Sequence, residues 1–339
     1  MFERWGISAN DQWNISGELC SGVAIDDGVA IQNFNPGIKC DCSYDNATTC
    51  HIIALRVYAL NVVSPLPYEL WILTFLTDEL GKLTDLRTLA IGTNNFSGPL
   101  PSELGQLTKL TQFYFDSSGV SGPLPSTFAD LQNLEIVFAS DNELTGLIPN
   151  FIGGWSKLTS LRLEGNSFEG PIPSTFANLT SLDDLRICDL SNGSSPLDFL
   201  REMKFLSTLI LRNNNISGSL PSNFEDYRSL SLLDLSFNNF SGRIPDSLFN
   251  LTSLTHLFLG NNRLTGVLPA QKTSLLLNID LSYNELSGNL PSWVNQQNMQ
   301  LNLVANNFVL QGSNSSAMPS GLNCLQRNFS CNRGDPQCE

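Results

Sequence analysis

A regular sequence period of 24 runs through most of this 339-residue chain and constrains its fold more than any other feature. It is marked by the prolines at positions 101, 125, 149 and 173, and, after a double step, at 221, 245 and 269. Self-similarity at such a period is typical of a solenoid, in which each repeat packs only on its neighbours. The chain is therefore predicted to be a repeat array rather than one or two ordinary globular domains.

Each repeat has the same internal order, which Leu86 to Pro101 illustrates as L-x-x-L-x-I-x-x-N-x-F-x-G-x-L-P. The alternating part predicts a short strand with its leucines inward and the intervening residues on a concave face. Asn94 is expected to bond the backbone of its turn and of the next repeat, because a buried amide needs partners. Phe96 is expected in an inner spine, and Gly98 at a tight bend. The equivalent asparagines are Asn142, Asn166, Asn214, Asn238, Asn262, Asn284 and Asn306.

Three places depart from the regular spacing. The step from Pro67 to Pro101 is 34, so we expect an irregular region at 68–85. A divergent turn beginning at Cys188 predicts a second irregular region at 188–203, although the double step of 48 shows that the register survives. The step from Pro269 to Pro291 is 22, which predicts one repeat shortened by two residues.

Cysteines cluster at both ends of the array, and only Cys188 lies between the clusters. Solenoids need terminal caps, and paired cysteines in end modules fit an oxidising compartment. The disulfide candidates are Cys20, Cys40, Cys42, Cys50, Cys324 and Cys331, with Cys338 beyond them; Cys324 is expected to pair with Cys331, and the other pairings stay open. We therefore predict a Cys-rich N-terminal cap over 1–51, a solenoid of about 10–11 repeats over 52–312, and a Cys-containing cap or tail over 313–339.

Asn-x-Ser/Thr sequons give an independent indication of secretion. They begin at Asn14, Asn46, Asn95, Asn178, Asn192, Asn215, Asn239, Asn250, Asn314 and Asn328. The first residues, Met1 to Trp5, show no basic and apolar signal segment, which predicts a truncated chain or an imperfect gene model. The most apolar window, 59–76, contains prolines and polar residues and does not predict a membrane span.

Composition and motifs exclude several function classes. The net charge of −14 disfavours nucleic acid and anionic lipid as partners, since phosphates would be repelled. The two histidines, His51 and His256, have no recognisable nucleophile and orienting carboxylate, and the acidic residues are too scattered to suggest a glycosidase pair. Cys40 and Cys42 are too close in sequence for an ordinary zinc site. We predict no catalysis, metal or cofactor.

The candidate binding residues lie between the core positions of successive strands. Exposed apolar side chains rimmed by charge favour a protein or peptide site, although one or two aromatics could instead merely cover the groove. The predicted ligand-binding residues of the concave face are Tyr114, Ile136, Phe138, Arg162, Arg186 and Arg212. Glycans on Asn95, Asn215 and Asn239 are expected to shield the neighbouring flank.

Several stretches resemble plant leucine-rich-repeat receptor-like serine/threonine kinases, specifically the group whose ectodomain continues into a malectin-like domain. They are Trp13–Gly22, Lys39–Ser43, Leu185–Ser195, Leu254–Asn262, Leu301–Phe308 and Leu322–Gly334. The resemblance implies an α/β-type solenoid of plant-specific repeats, curved, with a parallel β-sheet on its concave face. Departures are Cys188, where glycine is expected, and the step of 34 where three periods would be 72, so that about 38 residues are missing.

The resemblance also implies a function, a location and partners. The function is a ligand- or co-receptor-binding ectodomain of a cell-surface receptor, on the extracellular face of the plasma membrane or secreted. Expected partners are an extracellular protein, a peptide or a cell-wall glycan, together with a co-receptor kinase ectodomain. The kinase motifs themselves are not found in this sequence. The alternatives are a secreted inhibitor or decoy of the polygalacturonase-inhibitor type, and a glycan-binding wall-structural protein.

Overall fold

A computed structural model describes residues 20–25, 37–65 and 83–309. The chain divides into a first unit, Met1–Leu182, and a second unit, Asp183–Glu339, and each is described by itself. Several predictions fall outside the described residues: most of the irregular region 68–85, the C-terminal cap, and the residues Asn14, Asn314, Cys324, Asn328, Cys331 and Cys338.

The first unit is built on a main sheet whose strands follow the chain. Numbered in chain order, these are β1 (Gly37–Tyr44), β2 (Thr49–Arg56), β4 (Thr88–Ala90), β6 (Gln112–Tyr114), β8 (Ile136–Phe138) and β10 (Ser160–Arg162). The first pair is antiparallel and all later neighbours are parallel. From β4 onward Thr88 pairs with Gln112, Gln112 with Ile136, and Ile136 with Ser160, which confirms the period.

Shorter strands form a second strip along the flank of the first unit. They are β3 (Val63–Pro65), β5 (Asn95–Ser97), β7 (Ser121–Gly122), β9 (Glu143–Leu147) and β11 (Ser167–Glu169). Single 3₁₀ turns complete the unit at Gly22–Ala24, Asp45–Ala47, Leu83–Asp85, Ser102–Gln106, Ser126–Asp130, Asn150–Gly154 and Ser174–Asn178.

The second unit repeats this plan. Its main sheet contains β12 (Asp184–Arg186), β13 (Thr208–Ile210), β15 (Leu232–Asp234), β17 (His256–Phe258), β19 (Asn278–Asp280) and β21 (Gln300–Asn302). Its flank contains β14 (Ser217–Ser219), β16 (Asn239–Arg243), β18 (Arg263–Gly266), β20 (Glu285–Gly288) and β22 (Asn307–Phe308). The remaining elements are 3₁₀ turns at Asp198–Glu202, Phe224–Asp226 and Ser292–Asn295, and one short α-helix, α1 (Asp246–Phe249).

The predicted asparagine ladder is confirmed by its hydrogen bonds. Asn262 Nδ2 donates to the carbonyl of Leu235 in the preceding repeat at 3.0 Å, and to Leu259 in its own turn at 3.1 Å. Its Oδ1 accepts the backbone N–H of Phe240 at 3.0 Å. One amide therefore ties two repeats together while satisfying turn groups that are shielded from water.

The predicted spine and bends are also confirmed. The apolar residues two places after the ladder position are almost fully buried: Phe96, Leu144, Phe168, Ile216, Phe240, Leu264, Leu286 and Phe308. Gly146 has φ of 80°, and the equivalent glycines share this left-handed conformation, in which a side chain is strained.

A second left-handed position precedes each ladder asparagine, and we call this position the crest. The crest residues that precede a ladder asparagine and have positive φ are Thr93, Asp141, Gly165, Asn213, Phe237, Asn261, Tyr283 and Ala305. Ser117 and Asp189 have the same conformation in the two repeats where another residue replaces the ladder asparagine. Asn, Asp and Gly tolerate this conformation, whereas a bulky aromatic adopts it only at a cost. Phe237 and Tyr283 are therefore unusual occupants.

The irregular repeats keep their register in different ways. Asp184 pairs with Thr208 across the divergent turn, and the buried Leu190 takes the ladder position, where its N–H donates to Asn214 Oδ1. The steps from His256 to Asn278 and from Asn278 to Gln300 are both 22. The prediction of one shortened repeat was wrong, because the proline spacing measures only the first of these two steps.

The described part of the N-terminal cap is a disulfide-bonded hairpin. Cys20 pairs with Cys40, and Cys42 with Cys50, closing separations of 20 and 8 residues. Strand β2 starts at Thr49 and pairs with β4, so the main sheet begins inside the region assigned to the cap. Cross-linking in this region limits the freedom of the unfolded chain and so stabilises the end of the sheet.

An ionic cluster joins this hairpin to the first repeats. The buried carboxylate of Asp85 accepts hydrogen bonds from His51 on β2 and from Lys109 in the next repeat. Burial alone would raise the pKa of Asp85, but the hydrogen bonds and charges of these two partners outweigh it and hold the pKa below its ordinary value. Asp85 therefore acts as a charged clasp between cap and solenoid.

Candidate binding surface

The outward side of each main sheet, predicted to be concave, is called the open face. In β6, β8 and β10 the middle residue is buried, and its two neighbours point outward. Parallel pairing with a constant register places equivalent residues side by side. On the first unit this arrangement groups Tyr114, Ile136, Phe138 and Arg162, which we call the aromatic patch.

Three members of the aromatic patch are in direct contact. The Tyr114 and Phe138 rings meet edge to face with centroids 5.2 Å apart. The guanidinium carbon of Arg162 lies 4.0 Å from the centre of the Phe138 ring. Both arrangements are favourable, since ring edges and cations are attracted to the negative face of an aromatic ring. Three of the six residues that the sequence predicted for the binding face therefore form one continuous group.

The patch is half-buried, and this affects its chemistry. Tyr114, Ile136, Phe138 and Arg162 all have intermediate exposure. Burial raises the pKa of Tyr114, and the positive charge of Arg162 opposes this only in part. Tyr114 is therefore a neutral hydrogen-bond donor at physiological pH, beside a permanent cation.

The open face of the first unit includes residues that the sequence prediction did not name. Arg56 on β2 occupies the position that Tyr114 occupies on β6, and its guanidinium carbon lies 4.9 Å from the centre of the Tyr58 ring. Tyr58 donates a hydrogen bond to Asp116 Oδ2 at 2.9 Å. A hydrogen bond with Thr93 lowers the pKa of Tyr58, but burial and Asp116 together raise it more. The irregular step that ends at Pro101 concealed these residues, because it breaks the spacing that assigns strand positions.

The open face of the second unit is mainly polar, and its polar groups bond to one another. Asp234 Oδ1 accepts the N–H and hydroxyl of Ser236 at 2.9 and 2.6 Å. Asp280 does the same with Ser282, at the same two distances. His256 also has neighbours on both ring nitrogens, Thr255 Oγ1 at 2.8 Å and Asn278 Nδ2 at 3.0 Å.

The two remaining predicted site residues lie in the second unit and are engaged locally. Arg186 Nε donates to Asp184 Oδ1 at 2.8 Å within the same strand. Arg212 is exposed, and its guanidinium carbon lies 4.6 Å from the centre of the Phe237 ring at the crest. Neither contact involves the aromatic patch.

The described sequons fall on three kinds of surface. Asn95, Asn215 and Asn239 lie two residues after the crest, on the flank. Asn178 and Asn250 are exposed at the ends of a 3₁₀ turn and of α1. Asn46 and Asn192 are exposed in turns. Glu143 on β9 and Ser167 on β11 lie at the flank position equivalent to Asn95, Asn215 and Asn239. The repeats that contribute Phe138 and Arg162 to the aromatic patch therefore have no sequon at this position.

Neither a metal cluster nor a membrane helix occurs among the described residues. No group of three or more His, Cys, Asp or Glu in residues 20–25, 37–65 and 83–309 could hold a metal ion. Within the same ranges, no helix is long and apolar enough to cross a membrane. Cys188 has intermediate exposure and lies outside the two disulfides.

Known families match the repeat region. Residues 204–264 match a leucine rich repeat family model, and residues 157–179 match a second one. Two probable LRR receptor-like serine/threonine-protein kinases of Arabidopsis thaliana are 57% and 53% identical over 79 residues. That segment is 23% of this chain and spans only 8% of each relative.

Solved structures share the architecture over most of the chain. A plant peptide hormone receptor, RGFR1 in complex with RGF2, is 29% identical with a TM-score of 0.65, over 74% of this chain and 39% of that one. A TDR receptor is 30% identical with a TM-score of 0.63, over 75% and 51%. A plant ice-binding protein is 25% identical with a TM-score of 0.62, over 79% and 82%. The fold is therefore a leucine-rich-repeat solenoid with parallel main sheets.

Proposed function

We propose that this chain, a leucine-rich-repeat protein homologous to plant receptor-like kinases, is the ligand-binding part of a cell-surface receptor and is not itself an enzyme. Its ligand would be a peptide or an extracellular protein, held at the aromatic patch of the first unit. The observation that carries this proposal is the unbroken contact from Tyr114 through Phe138 to Arg162 on a half-exposed sheet face.

The chemistry of the patch suits peptide recognition. Tyrosine and arginine are enriched among the residues that dominate binding energies, because they combine large contact areas with hydrogen-bond donors. Parallel strands hold these side chains rigidly, so little conformational entropy is lost when a ligand binds. Ile136 adds an apolar surface beside them.

The second unit's open face is a weaker candidate. Asp234 and Asp280 already accept two hydrogen bonds each from neighbouring serines. A ligand would have to displace or share those bonds, so its net gain would be smaller. This difference favours the first unit as the proposed site.

The proposed ligand class, location and second partner rest on similarity to known plant receptors. The similar structure of RGFR1 in complex with RGF2 is that of a plant peptide hormone receptor, which makes a peptide the first ligand class to test here. We further propose that the chain works at the extracellular face of the plasma membrane, with a co-receptor kinase ectodomain as a second partner. The disulfides and the exposed sequons are compatible with that compartment.

Affinity capture tests the proposal. The chain, made in glycosylating cells, is used to capture peptides and proteins from plant extracellular fluid, which are identified by mass spectrometry. A triple variant with Tyr114, Phe138 and Arg162 each changed to alanine is compared with a matched second-unit variant carrying Asp234→Ala, Phe258→Ala and Asn278→Ala. A specific partner should be lost with the first variant and kept with the second. Equal capture by both variants would contradict the proposed site.

A further inference from the structure

The crest of the second unit has two residues that its backbone disfavours. Phe237 and Tyr283 have φ of 57° and 52°, where most repeats have Asn, Asp, Ser, Thr or Gly. Their side chains are 44% and 55% exposed, so core packing does not compensate for the strain. Because burial does not offset the backbone strain, we expect these aromatic side chains to contact a further group.

These two aromatics border one shallow cavity on the flank. The cavity has a volume of about 480 Å³, and its lining is largely polar. Besides Phe237 and Tyr283, the lining includes Asn213, Asn261, Arg263 and Asn239. Aromatic faces next to amides and a guanidinium group suit a sugar ring, which has apolar C–H faces and hydroxyls around its edge.

Two lining residues, Asn215 and Asn239, begin sequons. Asn239, followed by Phe240 and Ser241, begins Asn-x-Ser, and it lies two residues after Phe237. Asn95 and Asn215 hold the same place in their repeats, but the crest residues before them are Thr93 and Asn213. Among these three equivalent sequons, an aromatic side chain precedes Asn239 alone.

We propose that Phe237 is a platform for the first sugar of an N-linked glycan on Asn239, with Tyr283 as the second wall of the same site. The glycan is transferred from a lipid-linked diphosphate oligosaccharide. Asn239 Nδ2 forms a bond to C1 of the first N-acetylglucosamine and releases one proton to the solvent, while the bond from C1 to the lipid diphosphate breaks and the lipid diphosphate leaves with the bonding electron pair. The amide keeps one N–H.

The surrounding contacts support this arrangement. Arg212 stacks on Phe237 and so fixes the orientation of the ring. Asn213 donates to Asp189 Oδ1 at 2.7 Å, which holds another part of the cavity wall in place. A ring held on one side and open to the cavity is preorganised for stacking, so binding costs little side-chain entropy.

A glycan held in this way would do more than shield the chain. It would be pinned along the crest of the second unit, covering an aromatic surface that would otherwise be open to non-specific association. The strain at Phe237 would then be offset by contacts that form only after glycosylation.

The test compares glycosylated and unglycosylated protein in two backgrounds. The chain is produced in N-glycosylating cells with Phe237 or with Phe237→Asn, and each is combined with Ser241→Ala, which removes the sequon but keeps Asn239. Glycopeptide mass spectrometry should find Asn239 occupied. With Phe237 present, loss of the glycan should lower Tm by about 2 °C or more. In the Phe237→Asn background the same loss should leave Tm unchanged.

The equivalent sequon of the first unit gives a matched control, because Asn95 does not line this cavity. Ser97→Ala removes the Asn95 glycan, and its effect on Tm should be the same in both Phe237 backgrounds. Thr93→Phe places an aromatic two residues before Asn95, and it should make Tm sensitive to that glycan. An unoccupied Asn239, or an equal Ser241→Ala effect in both backgrounds, would overturn the proposal.

Discussion

The two open faces use one frame and differ in the residue that each strand presents last. On the first unit these residues are Arg56, Ala90, Tyr114, Phe138 and Arg162; on the second they are Arg186, Ile210, Asp234, Phe258, Asp280 and Asn302. On the first unit, aromatic rings and guanidinium groups contact each other and remain half-exposed. On the second, the carboxylates are bonded to nearby serines. The repeat frame therefore determines where each side chain lies. The outward side chains determine which open face can bind a partner without first breaking its own hydrogen bonds.

Replacing a ladder asparagine in each unit tests whether the two units are stabilised by the same repeat frame. Asn142→Ala in the first unit and Asn262→Ala in the second each leave several turn carbonyls and N–H groups without their side-chain partner. We expect each variant to lose about 3 kcal/mol of unfolding free energy. Urea denaturation followed by circular dichroism measures this loss. A large loss in one unit and none in the other would refute a common frame.

The clasp at Asp85 lies in the first unit only. Removing its charge should give the second largest loss of unfolding free energy. Asp85→Asn removes the charge that His51 and Lys109 contact, and it should cost about 2 kcal/mol. The folded pKa of Asp85 is lowered, so its contribution is complete above the unfolded pKa of about 4. That contribution disappears as the pH falls through the lowered folded value.

Thermal unfolding between pH 7 and pH 2 measures this dependence. Wild type should lose stability on acidification more steeply than Asp85→Asn does. Asp41→Asn is a suitable control, because the pKa of Asp41 is also lowered, by its hydrogen bonds to Ser43, although its carboxylate is not buried. Parallel acid curves for wild type and Asp85→Asn would show that the clasp carries no charge-dependent stability.

Much of the fold could be predicted from the sequence, and the exceptions have physical causes. The period, the asparagine ladder and the spine were predictable because each repeat must satisfy the same turn and fill the same core. Tyr114, Phe138 and Arg162 were grouped correctly because strands in register bring equivalent positions together. Arg186 and Arg212 were placed in the same set, but their local partners depend on rotamers that spacing does not determine. The malectin-like continuation stays a prediction.

Arg162 and Arg186 occupy equivalent strand positions in the two units, so replacing each of them tests which open face binds the partner. Arg162 stacks on Phe138, whereas Arg186 is paired with Asp184. Arg162→Ala should weaken partner binding about tenfold, since it removes a cation from the patch, whereas Arg186→Ala should change it little. Biolayer interferometry with the captured partner compares the two variants. A larger effect of Arg186→Ala would move the site away from the aromatic patch.

Buried aromatic donors away from the open faces provide the smallest predicted effect. Tyr227 donates to the carbonyl of Leu200 at 2.8 Å in the second unit, just as Trp155 Nε1 donates to Phe128 at 3.1 Å in the first. Burial, together with the charges of Asp226 and Glu202, raises the pKa of Tyr227 to about 12. Tyr227→Phe should cost about 1 kcal/mol.

The pH dependence of Tyr227 has the opposite sign to that of Asp85. Its contribution is present below the unfolded pKa of about 10 and is lost as the pH rises through the folded value. Ultraviolet titration of phenolate absorbance should show fewer tyrosines ionising at pH 11 than composition predicts, because the pKa values of Tyr58, Tyr114 and Tyr227 are all raised, and Tyr227→Phe should reduce that deficit by one. A normal titration of all tyrosines at pH 11 would contradict the burial of this hydroxyl.

Hydroxyl-radical footprinting tests the difference between the two open faces most directly, because it reports the solvent accessibility of individual side chains. Tyr114 and Phe138 are the reporters in the first unit, and His256 and Phe258 are the reporters in the second. Addition of the captured partner should protect Tyr114 and Phe138 and leave His256 and Phe258 as reactive as before. Protection of His256 and Phe258 with Tyr114 and Phe138 unchanged would contradict the account.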